Sequence, residues 1–250
     1  MYVTSLKYSN RSVQLWFCPQ KGRLVNALPE LNMTSATSTW PPPNGPTTPR
    51  VPRESTIIAT CASTTVSAPA SLVWSVLLET SKYPTWNSFC PHVTIHSQPQ
   101  GVDKSDPNLH LNTSFTFHVV MDSAKPDKVT DTQLRVTDIS TPEEPSQYIP
   151  QDVLDSEEAY ASDLVKVYRI AWTTEGTFVA RGLRTERFHE IIPLGDGGEC
   201  EVRTWECQGG ILARAVKFYY KDVLVRKFGE WCEDLKREAE RRLGEGGVDG

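Results

Sequence analysis

From Thr56 to Val66 apolar and polar side chains alternate and β-branched residues dominate, the pattern of a strand with one buried face. Ser67-Ala68-Pro69 ends it. Pro69 suits the first turn of a helix, which Leu72, Val73, Val76 and Leu77 continue at helical spacing through Ala70–Glu79. Tyr83-Pro84-Thr85-Trp86-Asn87-Ser88-Phe89 predicts a second short helical turn. Strands are expected near 92–98, 112–121 and 128–139, the middle one carrying Phe115, Phe117, Val119 and Met121 on one face. Three more are expected at 165–173, 181–193 and 200–208, the last two joined by the turn Gly195-Asp196-Gly197-Gly198. Gly210 to about Arg242 then reads as one long helix, with Ala213, Lys217, Tyr220, Leu224, Phe228, Trp231 and Leu235 spaced as its core stripe.

Two stretches break the pattern. Six prolines fall between Trp40 and Pro52, with almost nothing to bury, and residues 1–39 show no sustained period. Residues 1–55 are therefore expected to be a disordered Pro/Ser/Thr-rich tail, with a short docking element as the alternative and Met33 as a second candidate start. Residues 141–163 hold seven acidic residues, three prolines and no Lys or Arg, and are too long for a hairpin turn. A lid over a cavity mouth and a solvated loop both fit them. Residues 243–250 read as a second tail. The domain is thus 56–242. Its order implies an α+β fold: a curved antiparallel sheet of about six to seven strands, with two short helices after strand 1 and the long C-terminal helix covering the concave face. A strongly bent sheet is wider than one helix, so a cavity is expected between them.

A net charge of −5 and a pI near 5.6 speak against nucleic acid as a partner, since that binding rests on Lys and Arg neutralising phosphates. No window reaches 18 consecutive apolar residues, so no membrane span is expected. No basic stretch precedes an apolar one at the start, so a cytoplasmic protein is expected. The six cysteines fit no metal spacing or dense disulfide framework, and Cys200 and Cys207 fall on opposite faces of one strand. Buried free thiols are the expectation. His92 and His96 stand four apart but on a predicted strand, where they do not converge, and no phosphate loop or Gly-x-Ser-x-Gly elbow occurs, so neither metal nor cofactor is expected.

Val66, Ala68-Pro69, Val73-Trp74 and Tyr83-Pro84-Thr85-Trp86-Asn87 together resemble the opening of the SRPBCC superfamily, which includes START-like and polyketide cyclase/dehydrase proteins. Trp172, Leu183-Arg184-Thr185-Glu186-Arg187, Thr204-Trp205-Glu206 and Gly210-Ile211-Leu212-Ala213 follow in the same order as in that family. The resemblance spans about residues 56–242 and implies a helix-grip fold around a hydrophobic small molecule, with no reaction specified. The acidic stretch and the Pro-rich tail depart from the family.

On strand 165–173, Tyr168 and Trp172 share a face and either stack on a flat ligand or fill the core; Phe115 and Phe117 stand in the same position. Arg187 shares a face with Leu183, Thr185, His189 and Ile191, and either polarises a ligand carbonyl or pairs with Glu206. Glu206 has a raised pKa if left alone in low dielectric and a lowered one if paired with Arg187, the latter slightly favoured. Lys217, the one charge in the helix stripe, either moves protons or snorkels to water, with Tyr220 nearby. Trp86 and Asn87 either line the ligand or, for Asn87, fix a loop. Arg187, Glu206 and Lys217 are the catalytic candidates. Trp86, Asn87, Phe115, Phe117, Tyr168, Trp172 and Tyr220 are the binding candidates. Two functions remain open: a cyclase that folds a linear poly-carbonyl chain towards a pyrone or an aldol product, and a non-catalytic carrier of a lipid-like molecule or polyketide. A polyketide synthase encoded nearby would favour the first; the oligomeric state is not legible.

Overall fold

Alternating side chains assemble one antiparallel sheet. The computed structural model describes residues 14–15, 40–176 and 181–246. Expectations that fall on residues 1–13, 16–39 and 247–250 lie outside the described residues. The strands are β1 (Gln14–Leu15), β2 (Ile58–Val66), β3 (His92–Ser97), β4 (Ser114–Val120), β5 (Val129–Ser140), β6 (Tyr168–Thr174), β7 (Arg184–Leu194) and β8 (Glu199–Gly209). Their order is β1-β2-β8-β7-β6-β5-β4-β3. β1 is a two-residue addition on β2. The other seven strands are those expected from the pattern. Register breaks at Ile95/Ser97 in β3 and Val136/Asp138 in β5 bend the sheet.

The helices α1 (Ala70–Leu78), α2 (Tyr83–Trp86), α3 (Gln151–Ser156) and α4 (Ile211–Gly246) complete the fold. Pro69 sits at the N-cap of α1, whose Val73, Trp74, Val76 and Leu77 are buried. Tyr83 donates from its hydroxyl to the Leu77 carbonyl at 2.6 Å, pinning α2 beneath α1. α4 crosses the concave face against β2, β8 and α1. Val66, Val73, Phe115, Ile191, Phe228 and Trp231 belong to the core between them. The helix continues to Gly246, four residues past its expected end, with Arg241 bridging Glu238 and Glu245 across the added turn.

Gly210 makes the corner between β8 and α4. Its φ is +93°, and a Cβ there would lie 2.5 Å from the Gly182 carbonyl oxygen. Only glycine satisfies both conditions.

The convex face is covered as well, and this corrects two expectations. Residues 40–55 do not hang free: Trp40 is 6% exposed and Val51 fully enclosed, in a second core with Cys61, Phe188, Trp205 and Cys207. The Trp205 indole donates to the Thr47 carbonyl at 3.0 Å, and the Trp40 ring meets that of Trp205 edge-on at 6.0 Å. The acidic stretch is neither a lid nor a solvated loop. Its Ile149, Leu154 and Tyr160, with Leu164 just after it, pack into the same outer core, because β6, β7 and β8 present apolar side chains on both faces.

Polar side chains fasten this cover. Asp138, turned outward beyond the β5 irregularity, accepts from Arg169 Nε at 2.7 Å, and Glu190 lies 3.9 Å from Arg169 Nη1. All three side chains are fully buried. Glu190 accepts the Ala161 N–H at 3.0 Å. Glu186 accepts the Tyr148 hydroxyl at 2.6 Å and the Arg50 N–H at 2.9 Å. Cys200 lies in the inner core and Cys207 in the outer one, as their spacing requires. The five described cysteines are buried and form no disulfide among the described residues.

Candidate functional site

Between the concave face and the first half of α4 lies a cavity of about 240 Å³. Even-odd alternation decides which side chains meet it: Phe117 and Val119 from β4, Thr130, Thr132 and Leu134 from β5, Trp172 from β6, Arg187 from β7, and Glu206 and Gln208 from β8. The loop after α2 adds Phe89 and Cys90, and α4 adds Val216, Tyr220 and Leu224. On the outer side of α4, Phe218 is 81% exposed. Among the described lining residues Arg187 and Glu206 are the only Asp, Glu, Lys or Arg.

Arg187 and Glu206 face each other in the β7–β8 ladder. Arg187 donates from Nε to Thr204 Oγ1 at 3.1 Å, and its guanidinium carbon lies 3.9 Å from the Phe228 ring centroid and 5.1 Å from that of Trp231. Nη2 has no partner. Glu206 accepts from Gln208 Nε2 at 2.6 Å. Burial pushes the Glu206 carboxyl above the ordinary carboxylate range, opposed by Arg187 and by the Gln208 hydrogen bond. The favoured expectation of a lowered value is thus reversed: loss of water outweighs the attraction of the neighbouring Arg187. Burial likewise lowers Arg187, with Glu206 opposing.

His189 lies beside this pair on β7, its ring 4.4 Å from Trp172 and 4.5 Å from Trp231. Burial, and then the Arg187 charge, hold it well below the usual imidazole value, so it stays neutral. Among the described residues, no three His, Cys, Asp or Glu side chains gather as a metal site, and no helix is long and apolar enough to cross a membrane.

Of the expected site residues, Phe117, Trp172, Arg187, Glu206 and Tyr220 converge on the cavity. The rest do not line it. Phe115 supports it from below, edge-on to Phe117 at 4.9 Å. Tyr168 packs on Trp74 at 5.6 Å, and Trp86 on Tyr83 at 4.9 Å. Asn87 fixes the loop, its Oδ1 accepting the N–H groups of Phe89 at 3.2 Å and Cys90 at 2.8 Å. Lys217 is exposed and donates to the Ile57 carbonyl at 2.9 Å. The inward stripe steps from Ala213 to Val216 and Tyr220, not through Lys217; both routes satisfy helical spacing. Gln208 went unread, although it shares the parity of Val202, Thr204 and Glu206.

A family model described as polyketide cyclase/dehydrase and lipid transport matches residues 66–204. A curated relative, "Oxopyrrolidines biosynthesis cluster protein O" of Penicillium oxalicum (strain 114-2 / CGMCC 5302), is 32% identical over 180 residues, 68% of this chain and 80% of the relative. A hypothetical protein of Helicobacter pylori has a similar crystal structure, with a TM-score of 0.52 at 15% identity over 85% of this chain and 99% of that one. The Zhui aromatase/cyclase of Streptomyces sp. R1128 aligns at a TM-score of 0.49 and 15% identity, over 74% of this chain and 95% of the other.

Proposed function

The chain belongs to the polyketide cyclase/dehydrase and lipid transport family, and from that premise we propose that it is a cyclase-type enzyme of secondary metabolism acting on a linear poly-carbonyl chain. One observation carries the reading: the cavity is walled by apolar and hydroxyl side chains, and its two charged residues stand opposite each other on adjacent strands. The relative's membership of a biosynthesis cluster supports the same class of chemistry.

The chain folds inside the cavity so that two distant carbonyl groups meet. Such pre-orientation contributes on the order of 7–11 kcal/mol. The Glu206 carboxylate, its basicity raised by burial, takes a proton from the carbon between two carbonyls. The electron pair of that C–H bond becomes an enolate, whose oxygen accepts from Arg187 Nη2. In aldol closure the enolate carbon attacks the distant carbonyl, a C–C bond forms, and Glu206 returns its proton to the new alkoxide before water leaves. In lactonisation the enol oxygen attacks the terminal acyl carbon, and the leaving group departs with the proton. Trp172 and Phe117, edge-to-face at 5.5 Å, form an aromatic wall against which the conjugated product lies.

The test is turnover of a synthetic β-polyketo thioester by the purified full chain, followed by mass spectrometry of cyclised products. Arg187→Met and Glu206→Gln are each expected to lower kcat/KM at least about 100-fold, in line with loss of a general base or an oxyanion donor. Wild-type kcat/KM should rise with pH, with a midpoint above the ordinary carboxylate range. Cyclisation no faster than the spontaneous rate, with binding intact, would replace the enzyme by a carrier, the other activity in the family's description.

A further inference from the structure

Two groups at the polar end of the cavity are buried and unsatisfied. Arg187 Nη2 is a donor without an acceptor, and Gln208 Oε1 is an acceptor without a donor. Both side chains are 5% exposed and both line the cavity. Arg187 faces Glu206 and Thr185 faces Gln208 in the β7–β8 ladder, so Arg187 and Gln208 are diagonal neighbours on one face of the sheet.

Each is anchored by its other end. Thr204 and the Phe228 ring hold the Arg187 guanidinium. Glu206 holds Gln208 through Nε2. An ionised Glu206 only accepts, so it draws the Nε2 end towards itself and leaves Oε1 to the cavity. A fixed donor thus stands beside a fixed acceptor, both opening on a cavity of apolar and hydroxyl side chains. Buried groups of this kind are costly until something pairs with them.

We propose that Arg187 and Gln208 together read a ligand presenting a hydrogen-bond donor next to a carbonyl: the cis-amide of a lactam, or an enol beside a ketone. The carbonyl accepts from Arg187 Nη2, and the N–H or O–H donates to Gln208 Oε1. This rests on the cavity being the reaction site proposed above and narrows what enters it. An ester or carboxylate offers acceptors only; it satisfies Arg187 but sets a lone pair against Gln208 Oε1. A hydrocarbon chain satisfies neither. Gln208 is therefore the residue that determines specificity.

A near-isosteric pair of probes tests this: 6-pentyl-2-pyridone, with a ring N–H beside its carbonyl, and 6-pentyl-2-pyrone, with a ring oxygen there. Binding to the full chain is followed by calorimetry and by Trp fluorescence. The pyridone is expected to bind at least about tenfold more tightly, the worth of one buried hydrogen bond. Gln208→Met should bring the ratio to about one while a thermal melt shows the variant folded. Equal affinities in the wild type, with binding lost in Arg187→Met, would overturn the paired reading and leave the cyclisation proposal standing. Failure of both probes to bind overturns it too, and the proposed reaction is then judged by the turnover assay alone.

Discussion

Glu190 sits where a carboxylate is hard to keep charged. Burial raises its pKa to about 7, against the lowering effect of Arg169 and of the Ala161 N–H. In the unfolded chain it titrates near the ordinary value of 4.5. Below that value both states are protonated, and the contribution of this group to stability is whole. As pH rises towards 7 the unfolded chain gives up its proton first, so stability is lost. The loss amounts to about 3 kcal/mol at roughly 1.4 kcal/mol per pKa unit. Glu190→Gln keeps an acceptor for Ala161 and should flatten the fall in melting temperature between pH 4.5 and 7; an unchanged slope would refute this assignment. Individual side chains are also where sequence reading reached its limit. Arg187 and Glu206 were legible because strand parity places them. Lys217 was misplaced because a helix stripe accepts steps of three or four, and position 216 or 217 satisfies both. The pKa direction of Glu206 depends on whether the guanidinium touches the carboxylate, and no pattern of residues specifies that contact.

At the scale of elements, the seven long strands were readable to within a few residues, since a half-buried strand declares itself by alternation. The cover on the convex face was not readable in the same way. Residues 40–55 and 141–163 dock through a few apolar side chains at irregular intervals, leaving no period to find. The available signal lay in their receptor: Ala171, Phe188, Trp205 and Cys207 face outward yet are apolar, so those strands were never half-solvated. Trp40 tests the docking directly. Its ring meets Trp205, and its indole N–H donates to the Ala159 carbonyl at 3.4 Å, joining the N-terminal segment to the acidic stretch. Trp40→Ala is expected to destabilise the protein by about 3 kcal/mol in chemical denaturation, as for other buried aromatic truncations. A loss below about 0.5 kcal/mol would mean that the segment is dispensable.

The whole molecule is three layers: α4, the sheet, and the outer cover. The cavity lies on one side of the sheet and the polar fastenings of the cover on the other, with β7 serving both through Arg187 inward and Glu186 and Glu190 outward. A chain begun at residue 56 would keep every side chain that lines the cavity but uncover Trp205 where Trp40 and Thr47 hold it. It is expected to melt well below the full chain, to bind an apolar dye, and to associate at micromolar concentration. If its melting matches that of the full chain, the outer layer contributes nothing to the domain.

The outer cover also orders events in time. Thr47 and the Trp205 indole that donates to its carbonyl lie 158 residues apart in sequence. At ribosomal speeds of roughly 5–20 residues per second, Thr47 is made about 8–30 s before Trp205 exists. Throughout that interval the N-terminal segment lacks the Trp205 ring and indole that complete its docking. The first-made part of the outer cover is therefore among the last to find its complete seat.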